Sequence, residues 1–438
     1  MYPTAIAFVL NHMEIIPILL VLAVALVVVR VARRRSPADA PAPPAASSSQ
    51  PNEPPTFRVL ALGVSGCGKT VFLASLFHEL NYPRPGRSYY LDTDARQRVA
   101  LGSIYSQISD TSRQWPAGTR VSDTREFRFD CIAADEQDAR HHVLSIEWTD
   151  FAGELIEVEQ EDGSTALADL AVRIKGAHGL LCMLDGYRVL QLLRREAAGR
   201  DYFERRLRPM FGFMQAATCP IHLVVTKWDL VRDFGEPPDA DDQLRLDRVV
   251  EALMRFEHIK ALVYVHSRRQ LVRLIPVSAV GPSFVALDAD GRVSKLPDGT
   301  MRPSNVEVPL SAVLPDLFTQ AERSLDEASR RELHAAMKRH LRSEMGPIVA
   351  QLLRRPAAAA GRVLLPAYGA DAAALFVEWL APTTSQNGRK SGAARDEAER
   401  EIATRQRMHA IVMDDFKRTV LRLEAVLPQS ELSRRWLG

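Results

Sequence analysis

The run GVSGCGKT, from Gly63 to Thr70, has the composition of a phosphate cradle. Gly63, Gly66 and Gly68, with Ser65 and Cys67 among them, let the backbone wrap an anion. Successive N–H groups and a helix N-terminus then face the charge. Lys69 is placed to reach the β- and γ-phosphates of a nucleotide, and the Thr70 hydroxyl to bind Mg²⁺. The spacing is G-x-x-x-x-G-K-[ST], preceded by the apolar run FRVLAL and followed by VFLASLFHEL, whose apolar residues recur at helical spacing. That strand–loop–helix context separates a nucleotide site from a glycine turn that only joins two elements. The motif alone also serves kinases and ATPases.

Three further elements lie at the ends of apolar runs. Val143 to Trp148 runs into Asp150-Phe151-Ala152-Gly153-Glu154. An Asp at the end of a buried strand can hold Mg²⁺ through water, and a Gly three residues later lets a backbone N–H meet a γ-phosphate. IHLVV, ending at Val225, is followed by Thr226-Lys227-Trp228-Asp229. The Asp229 carboxylate can accept both the N1–H and the exocyclic amine of guanine, a pair that adenine lacks, while the Lys227 stem lies across the purine face. A polar site built for one partner rejects strongly a partner lacking the matching groups. Leu274 to Val277 enters Ser278-Ala279, where the Ala279 N–H is placed to meet the guanine O6.

These residues must be held by strands whose carboxyl ends converge. Phe57–Leu62, Phe127–Cys131, Val143–Trp148, Gly179–Asp185, Ile221–Val225 and Leu274–Val277 all read as buried or half-buried strands, with helical patterns between most of them. The fold class is therefore α/β, a doubly wound and mostly parallel sheet with its ligand at the strands' carboxyl ends. A hydrophobic content of 46% with 25% charged residues excludes a wholly disordered chain and a polytopic membrane protein. Lys plus Arg at 56 against Asp plus Glu at 54 gives no global basic field, so no nucleic-acid partner is expected. Cys67, Cys131, Cys182 and Cys219 are too few and too scattered for a disulfide framework or a finger-type zinc site, which fits a reducing compartment.

Four motifs in this order make the chain resemble a P-loop small-GTPase domain of the translation-factor and Ras-like class, over roughly Phe57 to Ala279. The resemblance implies GTP/GDP and Mg²⁺ as ligands. It also implies two switch loops ordered by the γ-phosphate and a protein effector or regulator that reads them. The chain departs from the family in two places. About eighty residues separate Thr70 from Asp150, roughly twice the compact family spacing. The family's first switch carries a Thr that binds Mg²⁺ and the γ-phosphate. Of Thr119 and Thr124, Thr119 in WPAGT is the expected one. The Ras-like family often has Gln after the D-x-x-G glycine to position the attacking water. Here Glu154 stands there. Its carboxylate can orient water or act as a base, but its charge repels the γ-phosphate, so hydrolysis is expected to be slow or partner-stimulated.

The N-terminal element of the plan is a membrane signal. Ile15 to Val29 is apolar on all faces apart from Pro17, and Arg30, Arg33, Arg34 and Arg35 follow at once. A basic flank on that side places the rest of the chain in the cytoplasm, and a single-pass protein of the bacterial inner membrane is expected. SPADAPAPPAASSSQPNEPP is a solvated linker. The expected organisation is an anchor and basic flank (1–35), a disordered linker (36–55), a GTPase domain (56–325) and a helical extension (326–438). The plan of an anchor followed by a GTPase resembles that of the signal-recognition-particle receptor beta subunit. The chain resembles predicted bacterial membrane-anchored GTPases, and PSNVEVPL, ending at Leu310, resembles a stretch in predicted bacterial GTPases linked to conflict systems. Within the long insert from Gly281 to Leu310, DADG and PDG are turn signals for a hairpin. Asp396 to Leu427 reads as a long charged helix that folds onto the domain or pairs with a partner. Two other readings share the motifs: a nucleotide-binding scaffold that does not cycle, and an ATPase.

Overall fold

Seven of the chain's apolar runs pair edge to edge in one sheet. The computed structural model describes residues 54–116, 125–151, 163–232, 242–287, 292–323 and 392–436. The expected anchor falls outside the described residues, as does almost all of the linker. Among the described residues no helix is long and apolar enough to cross a membrane.

The strands are β1 (Thr56–Leu62), β2 (Tyr89–Asp92), β3 (Arg125–Ala134), β4 (Arg140–Asp150), β5 (Gly179–Asp185), β6 (Ile221–Thr226) and β7 (Val272–Pro276), in the spatial order β2-β3-β4-β1-β5-β6-β7. Strands β4, β1, β5, β6 and β7 are parallel, while β2 and β3 are antiparallel additions at one edge. Every residue of β5, β6 and β7 is buried, so helices must cover both faces of that half. Strand β3 alternates buried and open positions, the pattern of a sheet with one solvated face. The expected mostly parallel α/β sheet is thus observed, with one strand more than the sequence reading placed. The chain leaves β1 on one side and returns on the other to β5. That reversal puts the crevice of the fold at the carboxyl end of β1, where GVSGCGKT begins.

The helices between the strands are α1 (Lys69–Leu80), α2 (Ala95–Ser109), α3 (Gly163–Gly176), α4 (Gly186–Leu193), α5 (Ala197–Asp201), α6 (Arg208–Met214), α7 (Trp228–Val231), α8 (Asp242–Leu253) and α9 (Glu257–Ser267). A π-helical turn, Tyr202–Arg206, joins α5 to α6. After β7 comes a two-stranded hairpin, β8 (Val285–Leu287) with β9 (Val293–Lys295), then α10 (Val308–Arg323). The last elements are the 35-residue α11 (Gly392–Val426) and α12 (Leu432–Trp436).

Helix α11 carries Met408, Val412, Phe416, Val420 and Leu423 along one buried stripe, the spacing of a helix lying on a core. It packs on α10 and on β3 and β4. The Phe416 ring meets Tyr89 of β2 edge-on at 4.9 Å, and the Ser88 N–H donates to the Asp415 carboxylate. Helices on either side of the 325/326 division therefore share one hydrophobic core with the sheet. Two turns further along α11, Glu424 accepts from Arg273 on β7 at 2.8 Å, and Arg273 makes a bidentate pair with Asp316 of α10 at 2.5 and 2.7 Å.

Candidate functional site

The phosphate cradle is shaped by what its glycines exclude. A Cβ on Gly63 would lie 2.7 Å from Cys67 Sγ and 2.9 Å from the Met183 carbonyl oxygen, so only glycine passes between the turn and β5. Gly66 and Gly68 have φ of +78° and +95°, the left-handed region that side chains resist. Gly68 caps α1 without a side chain, and its carbonyl receives the Phe72 N–H at 2.8 Å. The first N–H groups of α1 are thereby left for an anion. Lys69 folds back across the loop, its ammonium donating to the Gly63 carbonyl at 2.7 Å. Burial pushes the Cys67 thiol pKa up, with Lys69 opposing, so the residue in the loop is a small buried thiol and not a thiolate.

Thr226, Lys227 and Asp229 fasten the end of β6 to that loop. Thr226 Oγ1 lies 2.6 Å from the Cys67 carbonyl oxygen and 3.0 Å from that of Leu184. Lys227 sits at φ +49°, which turns its stem along the cradle. Its ammonium donates to the Gly66 carbonyl and to Asp185 Oδ2, both at 3.0 Å. Asp229 is buried, and the Ser278 hydroxyl donates to its Oδ1. Ser278 Oγ in turn accepts the Gly281 N–H at 2.8 Å. The Trp228 N–H donates to the Val277 carbonyl, and Ser75 of α1 donates to the Ala279 carbonyl. The third and fourth motifs are one hydrogen-bonded unit, and both are tied to the helix that follows the first.

A cavity of about 290 Å³ opens where these loops meet. Of the residues expected from the sequence, Ser65, Gly66, Gly68, Lys69, Thr70, Thr226, Lys227, Asp229 and Ala279 line it. Gly63, Cys67 and Ser278 stand behind its wall as supports. Asp150 is buried at the end of β4, in register with Ala61 of β1, and the Phe151 N–H donates to that Ala61 carbonyl. Thr119, Thr124, Gly153 and Glu154 lie outside the described residues. Thr70 and Asp150 are a hydroxyl and a carboxylate beside an anion cradle. Such a donor set suits Mg²⁺, which takes a few protein oxygens and completes its shell with phosphate and water. No cluster of three His, Cys, Asp or Glu side chains suited to a metal occurs among the described residues.

The sequence reading missed three parts of the site. Asp185 ends β5 and pairs with Lys227, while its backbone N–H donates to the Tyr202 hydroxyl of the π-helical turn at 3.1 Å. A carboxylate closing an otherwise apolar strand was the available signal. Helix α2 is the second part, with Asp94 capping it through the Gln97 N–H and Leu101, Ile104, Tyr105 and Ile108 on its inner face. Their i, i+3, i+4, i+7 spacing marks an amphipathic helix. It leads into Trp115 and Pro116, which line the cavity. The third part is the place of the expected hairpin at the site: its Val285 and Val293 complete the cavity's apolar wall.

No protein-family model matches the chain, and no curated protein matches it. Solved structures do. A bacterial selenocysteine-specific elongation factor, EF-Sec, is 12% identical, with a TM-score of 0.26, over 60% of this chain and 29% of that one. Sup35 complexed with GDP is 13% identical, with a TM-score of 0.26, over 52% and 38%. The signal recognition particle receptor SRβ–GTP/SRX complex from Chaetomium thermophilum is 15% identical, with a TM-score of 0.27, over 51% and 91%. The chain thus spans well under half the length of the first two. Strand order, crevice position and cradle geometry in this molecule are those of a doubly wound α/β fold with a phosphate-binding loop at its crevice.

Proposed function

We propose that this protein binds guanine nucleotide with Mg²⁺ and hydrolyses GTP to GDP to switch a partner interaction, anchored to a membrane through residues 1–35. One observation carries the reading: the Asp229 carboxylate, held by Ser278, lines the same cavity as the cradle lysine Lys69. A fixed buried carboxylate is an acceptor pair, and guanine offers the matching donor pair. Lys69 and the N-terminus of α1 face the phosphates, Lys227 covers the purine, and the Ala279 N–H faces the guanine O6. Thr70, Asp150 and Thr119 are the residues that would hold Mg²⁺, and that ion would supply positive charge to the phosphates. Glu154 in place of Gln makes intrinsic hydrolysis slow, and it favours a second reading, a scaffold that holds GTP without cycling.

The experiment titrates the full chain with fluorescent GDP, GTP and ATP in Mg²⁺, beside Asp229→Asn and Lys69→Ala. Guanine-selective binding lost in both variants supports the reading. Equal binding of ATP, or none of the three, overturns it. Multiple-turnover release of phosphate then separates a cycling enzyme from the scaffold.

A further inference from the structure

Two segments far apart in sequence meet over the cavity. The Trp115 indole N–H donates to the Val293 carbonyl at 2.9 Å, and its ring meets Phe284 edge-on at 6.4 Å. The Lys295 ammonium stands 4.9 Å from the Trp115 ring centroid. The same ammonium donates to the Gln107 carbonyl at 2.7 Å and the Asp110 carbonyl at 2.9 Å, at the C-terminal end of α2. Helix ends leave such carbonyls without intrahelical partners, and a cation there is favoured by the helix dipole. The Thr111 hydroxyl adds a bond to the Pro297 carbonyl at 3.1 Å. Beneath these bonds lies a small apolar cluster of its own, with Ile108, Val280, Phe284 and Val285 at its centre.

The consequence for the cavity is geometric. Trp115 and Pro116 line it from one segment, Val285 and Val293 from the other, beside Asp229 and Ala279. A ligand seated against Asp229 is walled on that side by the joint between the hairpin and the α2 end. Parting the joint strips the Lys295 ammonium of two carbonyls and an aromatic face together.

We propose that the β8–β9 hairpin and the end of α2 form a clasp on the base side of the site, with Lys295 as the positioning residue that sets how long a bound guanine nucleotide stays. The proposal rests on the guanine reading above. Since a clasp acts on escape, its signature is in the dissociation rate.

The test uses the full chain and fluorescent GDP in stopped flow, with Lys295→Met and Lys295→Arg. Lys295→Met is expected to raise the dissociation rate about tenfold, with the association rate changed less than about twofold and the preference over ATP kept. Lys295→Arg, which keeps the charge and donors, is expected to recover most of the loss. A dissociation rate in Lys295→Met within about twofold of the parent overturns the proposal, as does an equal fall in association rate. A second arm needs no nucleotide: hydrogen exchange of peptides covering 103–116 and 283–299 should rise together in Lys295→Met, with β5 and β6 unchanged. If the parent binds no guanine nucleotide, the guanine reading fails and the dwell-time role with it. If it binds GDP and either arm is flat, the clasp alone fails.

Discussion

The Lys227 ammonium lies 3.0 Å from the Asp185 carboxylate, and this pair ties the loop after β6 to the end of β5. The other Asp185 oxygen accepts the Tyr187 N–H at 3.0 Å and so caps α4. One carboxylate thus orients the lysine that we propose covers the base, and it also starts a helix. Asn can still cap a helix but carries no charge. Asp185→Asn is expected to weaken GDP binding by about five- to tenfold, around 1 kcal/mol, as a partly screened charge-assisted bond is lost. Thermal stability should stay nearly unchanged. A fluorescent GDP titration beside a melting curve checks both halves, and unaltered affinity rules out the orienting role.

Gly186 is the tightest contact near the site. A Cβ there would fall 2.0 Å from the Thr226 carbonyl oxygen and 2.8 Å from that of Lys227, both backbone atoms that cannot swing aside. Gly186→Ala is expected to destabilise the fold by about 1–3 kcal/mol through overpacking. It should also displace the Thr226–Asp229 loop and lower nucleotide affinity. Gly102, inside α2 with open space around its Cβ position, is the contrast. Gly102→Ala should stabilise by about 0.5–1 kcal/mol through lost backbone freedom in the unfolded chain. Urea unfolding of the two variants, with opposite signs, is the measurement.

Arg273 joins three elements of the fold, pairing with Asp316 of α10 and Glu424 of α11 while only 4% exposed. His222 of β6 also reaches Asp316, at 2.9 Å. Removing Arg273 leaves the Asp316 carboxylate buried without its bidentate cation. Arg273→Met is therefore expected to cost about 3–5 kcal/mol, and Arg273→Met with Asp316→Leu less than the sum of the singles. The readout is a double-mutant cycle in urea. Limited proteolysis should cut α11 first in Arg273→Met, because Glu424 loses its hold on the sheet. Additive singles would show that the network does not act as a unit.

Much of this was legible in the chain. The strands carrying the four motifs are legible as apolar-rich runs ending in Gly63, Asp150, Thr226 and Ser278, most plainly β6 and β7, which are buried on both faces and have no polar alternation to blur them. The hairpin was legible from its turn signals, and α11 from its spacing. Strand β2 was not: four residues, YYLD, gain their meaning only from pairing with β3 and from Phe416 far downstream. Lys295 was invisible for a like reason. A lysine in a short polar strand has no local mark, and its partners Gln107, Asp110 and Trp115 lie in a segment joined to it only by the fold. Asp185 shows the mixed case, with its position plain and its partner set by the register of β5 against β6.

The last expectation concerns acid. His178, 2% exposed, precedes β5, and its Nδ1 accepts the Arg58 N–H at 2.9 Å. The Arg58 guanidinium stands 3.5 Å from Nε2. Burial first, and that guanidinium second, push the imidazole pKa down to about 3. In the unfolded chain it returns to about 6.5. Between those values the unfolded chain binds a proton that the folded chain refuses, so stability rises with pH across the window. The contribution is complete above about pH 6.5 and is lost progressively as pH falls toward 3, at up to about 1.4 kcal/mol per pH unit. His78, His258 and His266 are also lowered, each by burial first, and add to the same slope. His178→Gln keeps an acceptor for the Arg58 N–H and has no proton to gain. Urea unfolding at pH 7, 6, 5 and 4.5 should give a slope against pH that is shallower in His178→Gln by about one proton. Coincident slopes would place the acid sensitivity of the fold elsewhere than at this ring.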